Sequence, residues 1–164
     1  MEKSIANLNE AFAGESQANR RYLAFAQKAE QEGYHQIARL FRAAAEAETV
    51  HALNHLRALK AIHSTAENLK EAVQGETAEF RDMYPKMIAE ARAEAHKDAE
   101  RTFNFANEVE KVHAQLFQKA LENLEDKELV DIHVCPVCGY TVEGEPPDKC
   151  PVCGANKKTF KRIE

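Results

Sequence analysis

Residues 48–51 read Glu-Thr-Val-His and residues 110–113 read Glu-Lys-Val-His, so the chain carries two copies of a Glu-x-x-His element. On a helix, this i, i+3 spacing places the carboxylate and the imidazole on one face. Both groups are ligands for transition-metal ions. The two elements therefore predict a metal site to which two helices contribute.

A lone glutamate precedes each element at a similar distance. Glu15 lies 33 residues before Glu48, and Glu76 lies 34 residues before Glu110. This repetition indicates two related helical hairpins. A glutamate from each of two helices and Glu-x-x-His from each of two others is the ligand arrangement of carboxylate-bridged di-iron or di-manganese bundles.

The flanking sequence favours helices throughout this region. Residues 3–125 contain one proline and three glycines, with apolar residues at intervals of three and four. We predict helices over residues 3–31 and 34–62, a third after the capping box Ser64-Thr65-Ala66-Glu67, and a fourth over about residues 98–125. The punctuating residues are Gly33 as a helix stop, Pro85 as a kink in the third helix and Asp98 as an N-cap.

Glutamates also occupy the apolar seams of these predicted helices. A buried carboxylate costs several kcal/mol unless it is paired or bound to a metal. The seams carry no lysine or arginine that could neutralise the glutamates, so they require a shared counter-charge. These glutamates are Glu15, Glu48, Glu76, Glu79 and Glu110. His55 lies one turn beyond His51 on the same seam, and we interpret it as a core histidine rather than a ligand.

All four cysteines fall in the last thirty residues, in two Cys-Pro-x-Cys-Gly knuckles with eleven residues between Cys138 and Cys150. The spacing predicts tetrahedral thiolate ligation of a metal ion. The glycine after each second cysteine allows backbone N–H groups to turn toward the sulfurs. Spacing alone fits a structural zinc ribbon as well as a rubredoxin-type iron centre. The ligands are Cys135, Cys138, Cys150 and Cys153.

The amino-acid composition argues against a membrane protein and against a nucleic-acid-binding protein. The chain is 44% hydrophobic and 30% charged with a net charge of -5, and it has no apolar run of bilayer length. We therefore expect no membrane association and no nucleic-acid partner. The first residues lack the apolar stretch of a secretory signal, so we expect a cytoplasmic protein.

Taken together, these segments strongly resemble rubrerythrin over nearly the whole chain. The resemblance implies an all-α fold, in which a ferritin-like four-helix bundle (residues 1–130) precedes a small rubredoxin-like four-cysteine metal domain (residues 131–164). The segments that carry it, beside the cysteine knuckles, are Ala11-Phe12-Ala13-Gly14-Glu15-Ser16, Glu48 to His51, Gly75-Glu76-Thr77-Ala78-Glu79, Met83-Tyr84-Pro85 and Glu110 to His113.

The resemblance also implies residue roles and cofactors. Glu48 and Glu110 would bridge two irons, and His51 would exchange with Glu79 as the redox state changes. The other terminal ligands would be Glu15, Glu76 and His113. Tyr22 and Tyr84 match tyrosines that hydrogen-bond ligand carboxylates in the family. The four cysteines would hold one further iron, with zinc as the alternative.

The implied activity is reduction of hydrogen peroxide to water, with electrons passed through the cysteine-bound iron. Reduced rubredoxin or an NAD(P)H-dependent reductase would be the donor. Two alternatives come from other classes: a ferritin-like ferroxidase or iron-buffering protein, and a metal-sensing bundle with a structural zinc ribbon. A ferritin-like iron-buffering protein has no obvious use for a cysteine tail. Iron analysis of the purified protein would distinguish the metal-sensing alternative from the peroxide reductase.

Path length predicts how the chain assembles. Fifteen residues separate Glu48 from His63, so that helix ends ~22 Å beyond the metals, and the next helix begins ~16 Å before Glu76. If the second and third helices ran parallel within one chain, their connection would have to span ~38 Å. The one or two residues left at Ser64 are far too short, since an extended residue spans only ~3.5 Å. Either the bundle is up-down-up-down, or a domain-swapped homodimer completes each site. The resemblance favours the swap, with larger assemblies left open.

Overall fold

A computed structural model of the protein describes residues 2–164. The described chain divides after His63 into two compact units. The first unit contains two long helices, and the second contains three helices, a π-helical turn and a small sheet. The helices are α1 (Glu2–Gln31), α2 (His35–Leu59), α3 (Thr65–Ala78), α4 (Tyr84–Ala93) and α5 (Lys97–Glu122), and the π turn is Glu79–Met83.

The first unit is a hairpin of α1 and α2. Gly33 ends α1 as predicted: its φ of +81° allows a reversal in which the Tyr34 N–H reaches the Ala29 carbonyl at 2.8 Å. Small residues such as Ala26 and Ala38 are buried along the helices and let the two backbones approach closely. The hairpin is built by sequence-local turn chemistry and by this small-residue packing.

A polar contact fixes the register of this hairpin. The Asn19 side-chain amide on α1 donates hydrogen bonds to the Ala45 carbonyl at 2.7 Å and to the Thr49 hydroxyl at 2.9 Å, both on α2. Because Thr49 lies next to Glu48, this bridge positions the Glu-x-x-His segment of α2 opposite α1.

The second helix ends earlier than the sequence predicted. We expected it to continue to residue 62, but it stops at Leu59 because Lys60 takes a left-handed conformation with φ +55°. The Lys60 N–H bonds to the carbonyls of Arg57 and Leu56, which closes the last turn. No glycine marks this stop in the sequence.

The second unit begins with the predicted capping box, which the structure confirms. The Ser64 side chain accepts from the Glu67 N–H, and the Glu67 carboxylate accepts from the Ser64 N–H at 3.1 Å. Helices α3 and α4 both pack against α5. This packing lays Glu76 of α3 opposite Glu110 of α5.

The predicted disturbance near Pro85 takes the form of a π turn rather than a simple kink. Residues Glu79–Met83 form the turn, and the Tyr84 N–H bonds to the Glu79 carbonyl five residues earlier. Pro85 lies at the start of α4 and has no N–H with which to continue the α-helical ladder.

The predicted N-cap of α5 was wrong. His96, not Asp98, caps the helix, and its ring nitrogen accepts from the Ala99 N–H at 3.3 Å. Asp98 lies in the first turn, where its charge favours the helix N-terminus without capping it. The helix ends at Glu122, three residues before the predicted end.

Residues after α5 form a three-stranded antiparallel sheet, ordered β2-β1-β3, from β1 (Ile132–Val134), β2 (Thr141–Glu143) and β3 (Lys161–Ile163). Val134 pairs with Thr141 and with Lys161. The four cysteines lie in the turns beside this sheet, and Cys135 and Cys150 are buried. Among helices in residues 2–164, none combines the length and apolar character needed to cross a bilayer.

Candidate metal centres

The first unit gathers three predicted ligands at one level of its hairpin. One ligand atom from each of Glu15, Glu48 and His51 lies within 4.8 Å of the others. The His51 Nδ1 is 2.8 Å from the Glu48 Oε2 and 4.0 Å from the Glu15 Oε1. The i, i+3 spacing on α2 accounts for the closer pair, and the Asn19 bridge accounts for the approach of α1.

The second unit contains the equivalent cluster. Glu76, Glu110 and His113 also bring their ligand atoms within 4.8 Å of one another. The His113 Nδ1 is 2.7 Å from the Glu110 Oε2 and 3.9 Å from the Glu76 Oε1. The two clusters therefore repeat the same geometry, as the spacing in the sequence predicted.

The clusters differ in how their histidines are held. The His113 side chain is 26% exposed and its Nε2 lies 3.0 Å from the Thr141 hydroxyl. The His51 side chain is 54% exposed, and within residues 2–164 its Nε2 has no hydrogen-bond partner. One imidazole is thus fixed at both ring nitrogens and the other at a single nitrogen.

The carboxylates of the second cluster favour a proton or a cation that neutralises their negative charge. Burial, and then the charge of Glu110, raise the pKa of Glu76 above its ordinary value. Burial and the charge of Glu76 likewise raise the pKa of Glu79. Like-charged carboxylates held close and shielded from water are stabilised by a proton or by a cation. A bound metal ion supplies that positive charge at neutral pH.

Glu79 lies outside both three-ligand groups found among residues 2–164. It is the first residue of the π turn, one helical turn beyond Glu76. The sequence identified Glu79 but not the π turn; the signal available was a seam glutamate followed by Pro85.

The remaining predicted site residues have distinct surroundings. Tyr84 lies close enough to the acidic cluster that burial and the charge of Glu79, followed by that of Glu110, raise its pKa. Tyr22 instead packs with Phe25 and Phe41, at ring-centroid distances of 6.4 and 6.1 Å. His55 is half-buried and belongs to neither ligand cluster.

The four cysteines form one compact cluster. Their sulfurs lie within 4.8 Å of one another, with Cys135 Sγ 3.6 Å from Cys153 Sγ and Cys138 Sγ 3.5 Å from Cys150 Sγ. These separations suit a single tetrahedral ion. The structure thus brings together the complete predicted thiolate set.

Backbone N–H groups turn toward these sulfurs as the knuckle glycines predicted. Gly139 has φ +87°, and the following Tyr140 N–H is directed to the Cys138 sulfur. Burial raises the pKa of Cys138 despite this contact. Burial also acts to raise the pKa of Cys135, but the backbone N–H groups of Val137 and Cys138, together with the neighbouring cysteine side chains, leave this pKa below its ordinary value. Such N–H groups stabilise thiolate ligands.

The donor sets fit the implied metals. Each helical cluster offers carboxylate oxygens and an imidazole nitrogen, which suit iron or manganese, and the cysteine cluster offers four sulfurs, which suit iron or zinc. The residues present therefore agree with a carboxylate-histidine di-metal site and a separate tetrathiolate site.

Comparison with known proteins assigns both regions of the chain. The family model described as rubrerythrin matches residues 6–121, and the model described as the rubredoxin-like domain of rubrerythrin matches residues 133–161. Rubrerythrin-2 of Clostridium acetobutylicum is 39% identical, with 94% of this chain and 93% of the relative covered. Nigerythrin of Nitratidesulfovibrio vulgaris is 37% identical, with 96% and 85% covered.

Solved structures give the same relationship. A mixed-valence nigerythrin structure is 35% identical, with 98% of this chain and 86% of that chain covered, at a TM-score of 0.61. A fully reduced, all-ferrous nigerythrin structure matches equally well. The matched fold is all-α and ferritin-like, followed by a rubredoxin-like four-cysteine domain.

Proposed function

The chain belongs to the rubrerythrin family, and on this premise we propose that it reduces hydrogen peroxide to water. Family membership makes it an oxidoreductase with a di-iron carboxylate site and a rubredoxin-like site. We propose, in addition, the peroxide substrate, the roles of the individual residues and the electron donor.

The packing of the cysteine domain on α5 carries the proposal. Strand β2 lies against α5, the helix that bears Glu110 and His113, and Lys119 of α5 forms an ion pair with Glu143 of β2. A one-electron centre beside a di-iron ligand helix is a supply route for repeated reduction. An iron-buffering protein has no use for such a route, so this packing favours the reductase.

Two ferrous ions bound by these residues would supply the two electrons that, with two protons, convert hydrogen peroxide into two water molecules. The chain's contribution is to hold and adjust the ligands. We propose Glu48 and Glu110 as bridging ligands, with the terminal set Glu15, Glu76, Glu79 and His113. Tyr84, beside the acidic cluster, is a hydrogen-bond donor to its carboxylates.

The contrast between the histidines supports the exchange of His51 with Glu79. Within the described residues the His51 ring is held only through Nδ1, so fewer contacts oppose its rotation than oppose that of His113. In the proposed site Glu79 would supply an oxygen in place of His51; Glu79 begins the π turn and lies outside the three-ligand groups of the described residues. His113, bonded at both nitrogens, is the fixed imidazole.

A domain-swapped homodimer is the assembly that we propose. Five residues, 60–64, join α2 to α3. If α2 and α3 ran parallel within one chain with Glu48 and Glu76 at one level, the joint would have to span ~33 Å from Leu59 to Thr65. Fully extended, this joint spans at most about 20 Å. Exposed apolar side chains on α2, including Leu40 and Val50, support coverage by a second copy. Each site would combine Glu15, Glu48 and His51 with the second unit of the other chain.

Other sequence predictions remain proposals. Reduced rubredoxin or an NAD(P)H-dependent reductase is the proposed donor, since the rubredoxin-like domain implies an electron-transfer partner. Residues 1–130 and 131–164 are the proposed domains. The cytoplasmic location stays a prediction from the sequence.

The decisive experiment reduces the iron-loaded protein anaerobically and mixes it with peroxide or with dioxygen in a stopped-flow spectrometer. Peroxide should oxidise the bundle irons at least about tenfold faster, a difference of ~1.4 kcal/mol in barrier. Equal rates, or faster oxidation by dioxygen, would contradict a peroxide reductase. Glu48→Gln should abolish the reaction, and Glu46→Gln, at an exposed position two residues away on α2, should leave it unchanged.

A further inference from the structure

Thr141 joins the two metal-binding regions of the second unit through hydrogen bonds. Its hydroxyl oxygen is 3.0 Å from the His113 Nε2 and 3.0 Å from the Gly139 carbonyl oxygen. His113 belongs to the helical ligand cluster, and Gly139 directly follows Cys138 of the cysteine cluster. A single side chain on β2 therefore touches both.

The direction of these bonds follows from their chemistry. A carbonyl oxygen can only accept, so the Thr141 hydroxyl donates its one proton to Gly139. The lone pairs of Thr141 then face His113, so Nε2 must carry a hydrogen and donate it. A neutral imidazole has one N–H, so Nδ1 keeps the lone pair that a metal ligand needs. Without a metal, the 2.7 Å contact between Nδ1 and the Glu110 Oε2 holds a proton, and a bound metal ion would take the place of that proton.

We propose that Thr141 is a positioning residue for the di-iron site: it fixes the tautomer and ring orientation of His113 and ties this ligand to the Cys138 knuckle. The inference rests on the proposed function only in requiring that Nδ1 of His113 binds a metal. Metal-binding histidines commonly donate their other N–H to such an acceptor. Here the acceptor comes from the cysteine domain rather than from a neighbouring helix.

Local packing makes this contact specific. Val109, one turn before His113, is 2% exposed, and a Cβ added to Gly139 would lie 3.7 Å from its Cγ1. The knuckle thus lies directly on α5. The equivalent histidine, His51, has no such partner on Nε2 within residues 2–164, so of the two histidines in the helical clusters only His113 is held at both ring nitrogens.

The test uses the full chain with zinc in the cysteine site and cobalt(II) titrated into the bundle, followed by cobalt absorption. Thr141→Val keeps the side-chain shape but removes the hydroxyl, and it should weaken cobalt binding by about tenfold or more. Thr141→Ser keeps the hydroxyl and should restore affinity. Thr159→Val is the matched control, because its hydroxyl bonds to the Asn156 carbonyl at 2.8 Å in the same domain.

A second measurement separates positioning from general stability. With zinc, which is diamagnetic, in both the cysteine site and the bundle, the His113 Nε2 proton should be visible by ¹⁵N–¹H NMR and slow to exchange with water. Its exchange should accelerate at least about tenfold in Thr141→Val and not in Thr159→Val, because an N–H without an acceptor is open to solvent.

The outcomes distinguish this inference from the proposed function. If the parent chain binds no cobalt in the bundle, both fail. If the parent binds two cobalt ions and Thr141→Val binds them equally tightly with an unchanged Nε2 proton, the inference alone is overturned. Weaker cobalt binding together with faster Nε2 proton exchange in Thr141→Val, both restored in Thr141→Ser, supports it, and a change in only one of the two measurements overturns it.

Discussion

Glu76 and Glu110 bring carboxylate oxygens within 4.8 Å of each other, although their side chains are only 23% and 15% exposed. They come from α3 and α5, so the packing of these helices forces two like charges together. Within the described cluster, His113 is the only other member. Without a metal ion, this proximity favours protonation of Glu76 over its charged form.

In the metal-free protein, the raised pKa of Glu76 should therefore make a contribution to stability that is lost as the pH rises. The folded state keeps the Glu76 proton to a higher pH than the unfolded chain, whose pKa is near the ordinary 4.5, because burial and then Glu110 raise the folded pKa. The contribution of Glu76 to stability should decline as the pH rises from 4.5 through that raised pKa and then level off. The pKa of Glu79 is raised as well, by burial and then by the charge of Glu76, so its contribution to stability also declines as the pH rises.

Urea unfolding of chelator-treated protein, followed by circular dichroism between about pH 5 and pH 8, measures this decline. Glu76→Gln should flatten it and stabilise the metal-free protein at neutral pH, while Glu71→Gln, exposed on the same helix, should not. A pH dependence that survives unchanged in Glu76→Gln would show that Glu76 is not its source.

The iron-loaded chain should contain three irons, two in the bundle and one in the cysteine site. Cys150→Ser should reduce the content to two and remove the thiolate-to-iron absorption, because the tetrahedral site loses a ligand. Elemental analysis and visible spectra measure both. One zinc per chain with no thiolate-to-iron band would exclude the electron-transfer role of the cysteines while leaving the bundle chemistry intact.

Glu79→Ala should still bind two irons, since Glu79 lies outside both three-ligand groups. It should lose peroxide selectivity, because no oxygen then replaces His51 when the ligand exchanges. We expect the ratio of peroxide to dioxygen oxidation rates to fall about tenfold, equivalent to ~1.4 kcal/mol. Stopped-flow oxidation of the reduced variant measures this ratio, and an unchanged ratio would rule out the exchange. Glu90→Ala, exposed on α4, is the matched control.

Mixing two inactive variants tests the domain swap. Glu48→Ala damages the first unit and Glu110→Ala damages the second, so each protein alone should lack an intact di-iron site. After joint unfolding and refolding, a swapped heterodimer pairs one undamaged first unit with one undamaged second unit. Recovery of one di-iron site per heterodimer is expected. The absence of any di-iron signal would favour a bundle completed within one chain.

Much of the fold follows from the sequence because its signals are local. Ser64 and Glu67 form the predicted capping box, and Gly33 ends α1 where its positive φ is needed. The stop at Lys60 was missed, since lysine carries no preference for the left-handed conformation that it adopts. The His96 cap was missed because Asp98 is the stronger capping residue type by propensity.

The candidate ligand pairs follow from the sequence, because fixed spacing on a helix dictates which side chains share a face. Glu48 with His51 and Glu110 with His113 needed nothing beyond the i, i+3 rule. The tertiary structure alone decided that β2 lies on α5 and that Thr141 reaches His113 across 28 residues of sequence. No local pattern encodes that contact, because it depends on how a folded domain packs against a helix.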